Sequence, residues 1–158
     1  DSENVLHNLP ARAFRNLWDF NKTEEENFKS PLCEQMISVC MKMCKAFEES
    51  VFAKELKTSS KKHPEYSFIA RQNDCIVNGT IDLCYERQDG KVVVVDYKTD
   101  EEIHPDIYYP QLTCYKDAAA ELYGVEKSEV ECYLFYLRYG QAVNVTDFAS
   151  DELLPHIS

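Results

Sequence analysis

Asp96 and Lys98 stand one residue apart in KVVVVDYKTD, Lys91–Asp100, at the end of the most apolar run in the chain. Asp82 lies upstream in TIDLCYERQDG. The three-residue loop Gln88-Asp89-Gly90 between them suits a type I turn closed by a left-handed residue, and Gly90 fits that last place. Arg87 then faces Lys91, and counting back sets Asp82 opposite Asp96 and Thr80 opposite Lys98. Side chains alternate along a strand, so Asp82, Asp96 and Lys98 are expected on one face. Opposed Cβ atoms lie about 4.5–5.5 Å apart, and like charges that close repel. A divalent cation between them resolves the repulsion, and magnesium takes oxygen ligands at about 2.0–2.1 Å. An acid-x-Lys triplet alone arises by chance about once per hundred positions. The facing Asp82 is what separates this triplet from an ordinary solvated strand end.

The strand that carries the pair is apolar on both faces. Val92 and Val94 point one way, Val93 and Val95 the other, as in a central strand buried on both sides. Rigid elements of that kind hold reactive groups better than loops do. Around it the spacing predicts the order α-α-β-β-β-α-β-β. Leu6, Leu9, Ala13, Leu17 and Phe20 give a helix over 5–20, interrupted by Pro10. The polar NKTEEENFK reads as a solvated loop. Ser30 and Pro31 open a second helix reaching Leu56, with Leu32, Met36, Val39, Met43, Phe47, Val51 and Leu56 on one stripe. Strands follow over 65–74 and 75–87, then over 91–99. Residues 104–123 read as a helix ending at Gly124, with Pro110 in or before its first turn. Two more strands, 129–139 and 141–148, form a hairpin around Gly140.

The 158 residues suit one domain, and 44% hydrophobic content is enough for a packed core. Within the chain, 1–30 is expected to be a helical N-terminal part, 65–148 the catalytic core and 149–158 a tail. The first residue is Asp1 rather than Met, which is read as an excised domain. No apolar run is long enough for a bilayer span, so no membrane partner is expected and the location is read as cytoplasmic. The seven cysteines are odd in number and include no C-x-x-C pair. Reduced, packed thiols are expected rather than disulfides, a zinc site or an iron–sulfur cluster. The formal charge of −11 argues against an autonomous nucleic-acid binder. It is compatible with carboxylates that hold a divalent metal.

VNGTIDL, VVVVDYKTD and YYPQLTCY, in that order, resemble the G-x-I-D, D-Y-K-T and Q-L-x-x-Y motifs of the RecB and AddA helicase–nucleases. Those nuclease domains belong to the PD-(D/E)XK superfamily, and the resemblance covers about residues 45–146. It implies an α/β (α+β-like), restriction-endonuclease-like core, a central mixed sheet of about five strands flanked by helices. It further implies that Asp82 and Asp96 are Mg2+ ligands, with Mn2+ as a substitute, joined by the Tyr97 carbonyl. Lys98 would orient the attacking water. Gln111 and Tyr115, four apart and so on one helix face, would approach the DNA and the reacting phosphate. Glu65 matches the acid of an upstream E-x-P-F motif, although Ser67 stands where proline is usual. A metal-ligating histidine in a G-T-x-x-H setting is matched by His7, without the glycine and with Pro10 close behind. An alternative alignment puts Arg15 at that position. The implied activity is an exonuclease of DNA repair and recombination, leaving 5′-phosphate and 3′-hydroxyl ends. Its partners would be DNA and a helicase region in the same polypeptide or a partner subunit. A catalytically silent scaffold or DNA-binding module of the same fold and a structure-specific endonuclease remain the alternatives.

Overall fold

A computed structural model describes residues 21–72 and 74–148. Five strands form one mixed sheet in the order β1-β2-β3-β4-β5. They span β1 Lys62–Gln72, β2 Cys75–Glu86, β3 Val92–Lys98, β4 Val130–Tyr136 and β5 Gln141–Asn144. Neighbours are antiparallel except β3 and β4, which are parallel. A parallel pair requires a crossover, and here it runs through a 3-10 turn at Pro105–Tyr108 and a helix at Tyr109–Tyr123. Among the described residues three helices precede the sheet: α1 Glu24–Lys29, α2 Pro31–Glu48 and α3 Val51–Thr58. The crossover helix is α4.

The valine run of β3 divides two cores. Val92 and Val94 pack with Leu112, Ala119, Cys132 and Leu134 beneath α4. Val93 and Val95 pack with Met43, Phe47, Phe52 and Leu56 of α2 and α3. All four valines are fully buried, as the sequence predicts for a central strand. Tyr97 continues the second face, its ring edge-on to Phe47 with centroids 5.3 Å apart. Gly124 closes α4 in the left-handed region at φ +66, where only glycine is free of Cβ strain. Gly140, at φ +60, lies in the turn of the β4–β5 hairpin.

The helices before the sheet differ from the expected pair. The predicted first helix, 5–20, and the tail, 149–158, lie outside the described residues. NKTEEENFK is not a loop: Thr23 and Glu26 make a reciprocal capping box that starts α1. The stripe over 30–56 is two helices, because Ser50 leaves helical geometry and caps Ala53 N–H to start α3. The break rotates the buried face. Phe52 and Leu56 go inside, while Val51 and Leu32 stay exposed. No helix among the described residues is long and apolar enough to cross a membrane.

Candidate active site

The loop geometry sets the register. Arg87 N–H donates to the Lys91 carbonyl at 2.8 Å and Gly90 N–H to the Arg87 carbonyl at 3.0 Å. Gly90 has φ +88. The pairs Glu86↔Val92, Tyr85↔Val93, Cys84↔Val94 and Leu83↔Val95 follow. One step further the same count sets Asp82 opposite Asp96, as the sequence predicts. There the main-chain ladder stops. The Tyr97 N–H, next in line for a β2 carbonyl, donates instead to Asp82 Oδ2 at 2.8 Å. Asp82 therefore turns its carboxyl into the gap between the strands rather than standing on the sheet face.

The gap coincides with a change in the pleat. Ile81 packs on the α4 side, while Leu83 packs on the α2–α3 side. Strict alternation would put both on one side. On β1 the residue opposite is Glu65, at φ +54 and missing from the paired register. Such an outlier in a strand is a point of stored strain.

Asp96 lies on the α4 face and is 4% exposed. Burial, then the neighbouring Asp82 carboxyl, push its pKa up to about 7, against the pull of Lys98. Lys98 Nζ is 2.8 Å from Asp96 Oδ2, and the Lys98 side chain is 14% exposed. Oδ2 is fully buried, and this ammonium is the positive charge set against it. The ammonium also lies over the Tyr108 ring, 3.7 Å from its centroid.

This arrangement fits a small divalent cation. Two acids are forced together, one of them buried with a single ammonium to offset it, and both favour oxygen-seeking ions. A third oxygen is available from the backbone. Main-chain groups alternate sides along a strand, and the Lys98 carbonyl accepts from Leu137 N–H on the β4 side. The Tyr97 carbonyl therefore points the other way, toward the gap that holds Asp82. No group of three or more His, Cys, Asp or Glu side chains is gathered among the described residues.

Gln111 and Tyr115 share a face of α4, as their spacing predicts. Gln111 Nε2 donates to the Tyr115 hydroxyl at 2.7 Å. They line a groove between α4 and the β1–β2 hairpin together with Phe68 on β1 and Gly79 and Thr80, which lie shortly before Asp82 on β2. Tyr115 is buried and sits edge-on to Phe68 at 5.7 Å. Glu65 is exposed, on β1 opposite Asp82. His7 and Arg15, the two candidates for an N-terminal site position, lie outside the described residues. Two aromatic neighbours of Lys98 escaped the sequence reading. Tyr108 precedes Gln111 by three, and Tyr136 pairs with Lys98 across β3–β4. The only signal was helical phase for Tyr108, while Tyr136 needed the parallel register.

Comparison with known proteins agrees with the motifs. The family model of the PD-(D/E)XK nuclease superfamily matches residues 2–153, nearly the whole chain. No curated protein matches the sequence. With a five-stranded mixed sheet, flanking helices and an acid pair at the sheet's broken hairpin, the chain belongs to the PD-(D/E)XK nuclease superfamily.

Proposed function

We propose that the chain is a metal-dependent DNA nuclease domain that hydrolyses phosphodiester bonds, of the exonuclease type tied to a RecB/AddA-like helicase in DNA repair and recombination. The observation that carries this reading is the buried Asp96 carboxyl held beside a second acid, Asp82, with the Lys98 ammonium 2.8 Å from its Oδ2. Asp82, Asp96 and the Tyr97 carbonyl would hold Mg2+, or Mn2+ in its place. The bound ion supplies charge neutralisation and a lowered pKa for water. Lys98 points at the same space, where it orients the water and balances charge on the phosphate. Gln111 and Tyr115 line the path of the strand to that point. The acids must be ionised to hold the ion, so activity falls in acid. A helicase region of the same polypeptide or a partner subunit delivers the strand, which a chain of net charge −11 holds weakly by itself.

The test is cleavage of end-labelled linear duplex and of a closed circle, with Mg2+ or Mn2+ titrated against wild type and Asp96→Ala. Loss of end label from linear DNA by wild type, and at least roughly a hundredfold less by Asp96→Ala, is the expected result. Cutting of the circle would move the assignment to an endonuclease. Equal metal affinity in both proteins with no cleavage in either would favour a silent scaffold of the same fold.

A further inference from the structure

Lys98 is the end of a flexible four-carbon stem, and its ammonium has to be held somewhere when the acids are occupied. Among the described residues it touches two groups, Asp96 Oδ2 at 2.8 Å and the face of Tyr108 at 3.7 Å from the ring centroid. The first contact weakens once a divalent cation shares Asp96, since the ion competes for the oxygen and repels the ammonium. The second contact does not depend on the acids. The negative face of an aromatic ring attracts a cation and has no lone pair for a hard metal to take.

Tyr108 is itself fixed at both ends. Its backbone lies in the 3-10 turn Pro105–Tyr108, which opens on Pro105 with its fixed φ. Its hydroxyl donates to Asp100 Oδ2. Asp100 lies two residues past Lys98, so ring and ammonium are tethered to one short run of chain. That run is tied down on its far side. Leu137 N–H donates to the Lys98 carbonyl at 2.9 Å, and Arg138 Nε to the Thr99 carbonyl at 2.6 Å. The Tyr139 hydroxyl donates to the Glu101 carbonyl. The turn after β4 thus holds the segment that holds the ring.

We propose that Tyr108 is a positioning residue for Lys98: its ring face keeps the ammonium at the reaction centre when Asp96 is engaged with the metal. This rests on the reading of Lys98 as the group that orients the attacking water. The Asp100 carboxylate sets the ring's orientation, and the turn after β4 fixes Asp100. Tyr108 then acts through Lys98 on the chemical step and leaves the affinity for the strand unchanged.

Three variants of the 158-residue chain separate the parts: Tyr108→Phe keeps the ring face, Tyr108→Leu removes it, and Lys98→Met identifies the lysine signal. The first measurement needs no activity. In metal-free protein with 13C-labelled lysine, the Lys98 Cε protons are expected upfield of the other lysines by the ring current of Tyr108. The shift persists in Tyr108→Phe and vanishes in Tyr108→Leu. The second is steady-state cleavage of linear duplex with Mg2+. Tyr108→Leu is expected to lower kcat about tenfold with KM unchanged, and Tyr108→Phe to restore it to within about twofold of wild type. An unshifted Lys98 signal in wild type overturns the proposal even if Tyr108→Leu does not fold. So does a kcat in Tyr108→Leu equal to wild type, or an equal loss in the Phe and Leu variants. These outcomes leave the nuclease reading standing provided wild type cleaves and Lys98→Met does not. A wild type that cleaves nothing under any metal removes that reading, and the proposal with it.

Discussion

At the scale of single residues, the site is a problem in charge placed under constraint. Asp96 is buried, beside a second acid, and held partly in check by one ammonium. Its pKa of about 7 in the fold stands above its ordinary value of 3.8. The folded chain therefore binds more protons than the unfolded chain between those values, and stability falls as pH rises through that window. In EDTA, the thermal midpoint of wild type should decline from about pH 4 to about pH 7 more steeply than that of Asp96→Asn, whose side chain cannot ionise. Added Mg2+ should reduce the difference at pH 8 by offsetting the buried charge. Parallel curves for the two proteins would mean that Asp96 is not the buried acid described here. The residue types and their register were legible from the loop count, because a three-residue turn leaves one pairing. The in-plane turn of Asp82 was not. It depends on the change of pleat at Glu65, and nothing in alternation alone announces a strand that switches faces.

At the scale of elements, the β1–β2 hairpin shapes the groove through a single missing side chain. A Cβ on Gly79 would meet Phe68 Cζ at 2.5 Å and Cε1 at 2.7 Å. Phe68 in turn lies edge-on to Tyr115. Gly79→Ala must push the ring into the wall that carries Tyr115 and Gln111. A loss of roughly 1–3 kcal/mol in urea unfolding is expected, as for other overpacked cores. A stability within about 0.5 kcal/mol of wild type would show that the ring moves freely. The strands and α4 were legible because their signals are local: alternation, Pro110 near a start, Gly124 at a stop. The split of the long helix was harder to see. Ser50 reads equally well as an exposed helical serine, and only the burial of Phe52 and Leu56 against the sheet decides that it is a cap. The short α1 was hidden by composition, since its capping box sits in a stretch with too few apolar residues to show a period.

At the scale of the whole molecule, charge and topology pull apart. The sheet gathers its chemistry where β3 and β4 both end, yet the net charge of −11 opposes the approach of a polyanion. At physiological salt in EDTA, fluorescence anisotropy should give a Kd for bare linear duplex weaker than roughly 10 µM, within the weak range of non-specific binding. Tight binding by this chain alone would remove the need for a delivering helicase. The family and the mixed sheet were readable from three ordered motifs. The crossover from β3 to β4 brings Tyr136 beside Lys98, and a contact between residues so far apart along the chain leaves no local trace.

The turn that fixes the register lies at the far end of the hairpin from the acids. Gln88, Asp89 and Gly90 are exposed, and Gly90 has nothing within 4 Å of where a Cβ would stand. Five residues of strand separate this turn from the Asp82–Asp96 pair, about 20 Å at the rise of an extended chain. The molecule therefore offers a handle remote from its working end. A dye or surface tether attached there reports on the chain, or immobilises it, with the groove left facing outward.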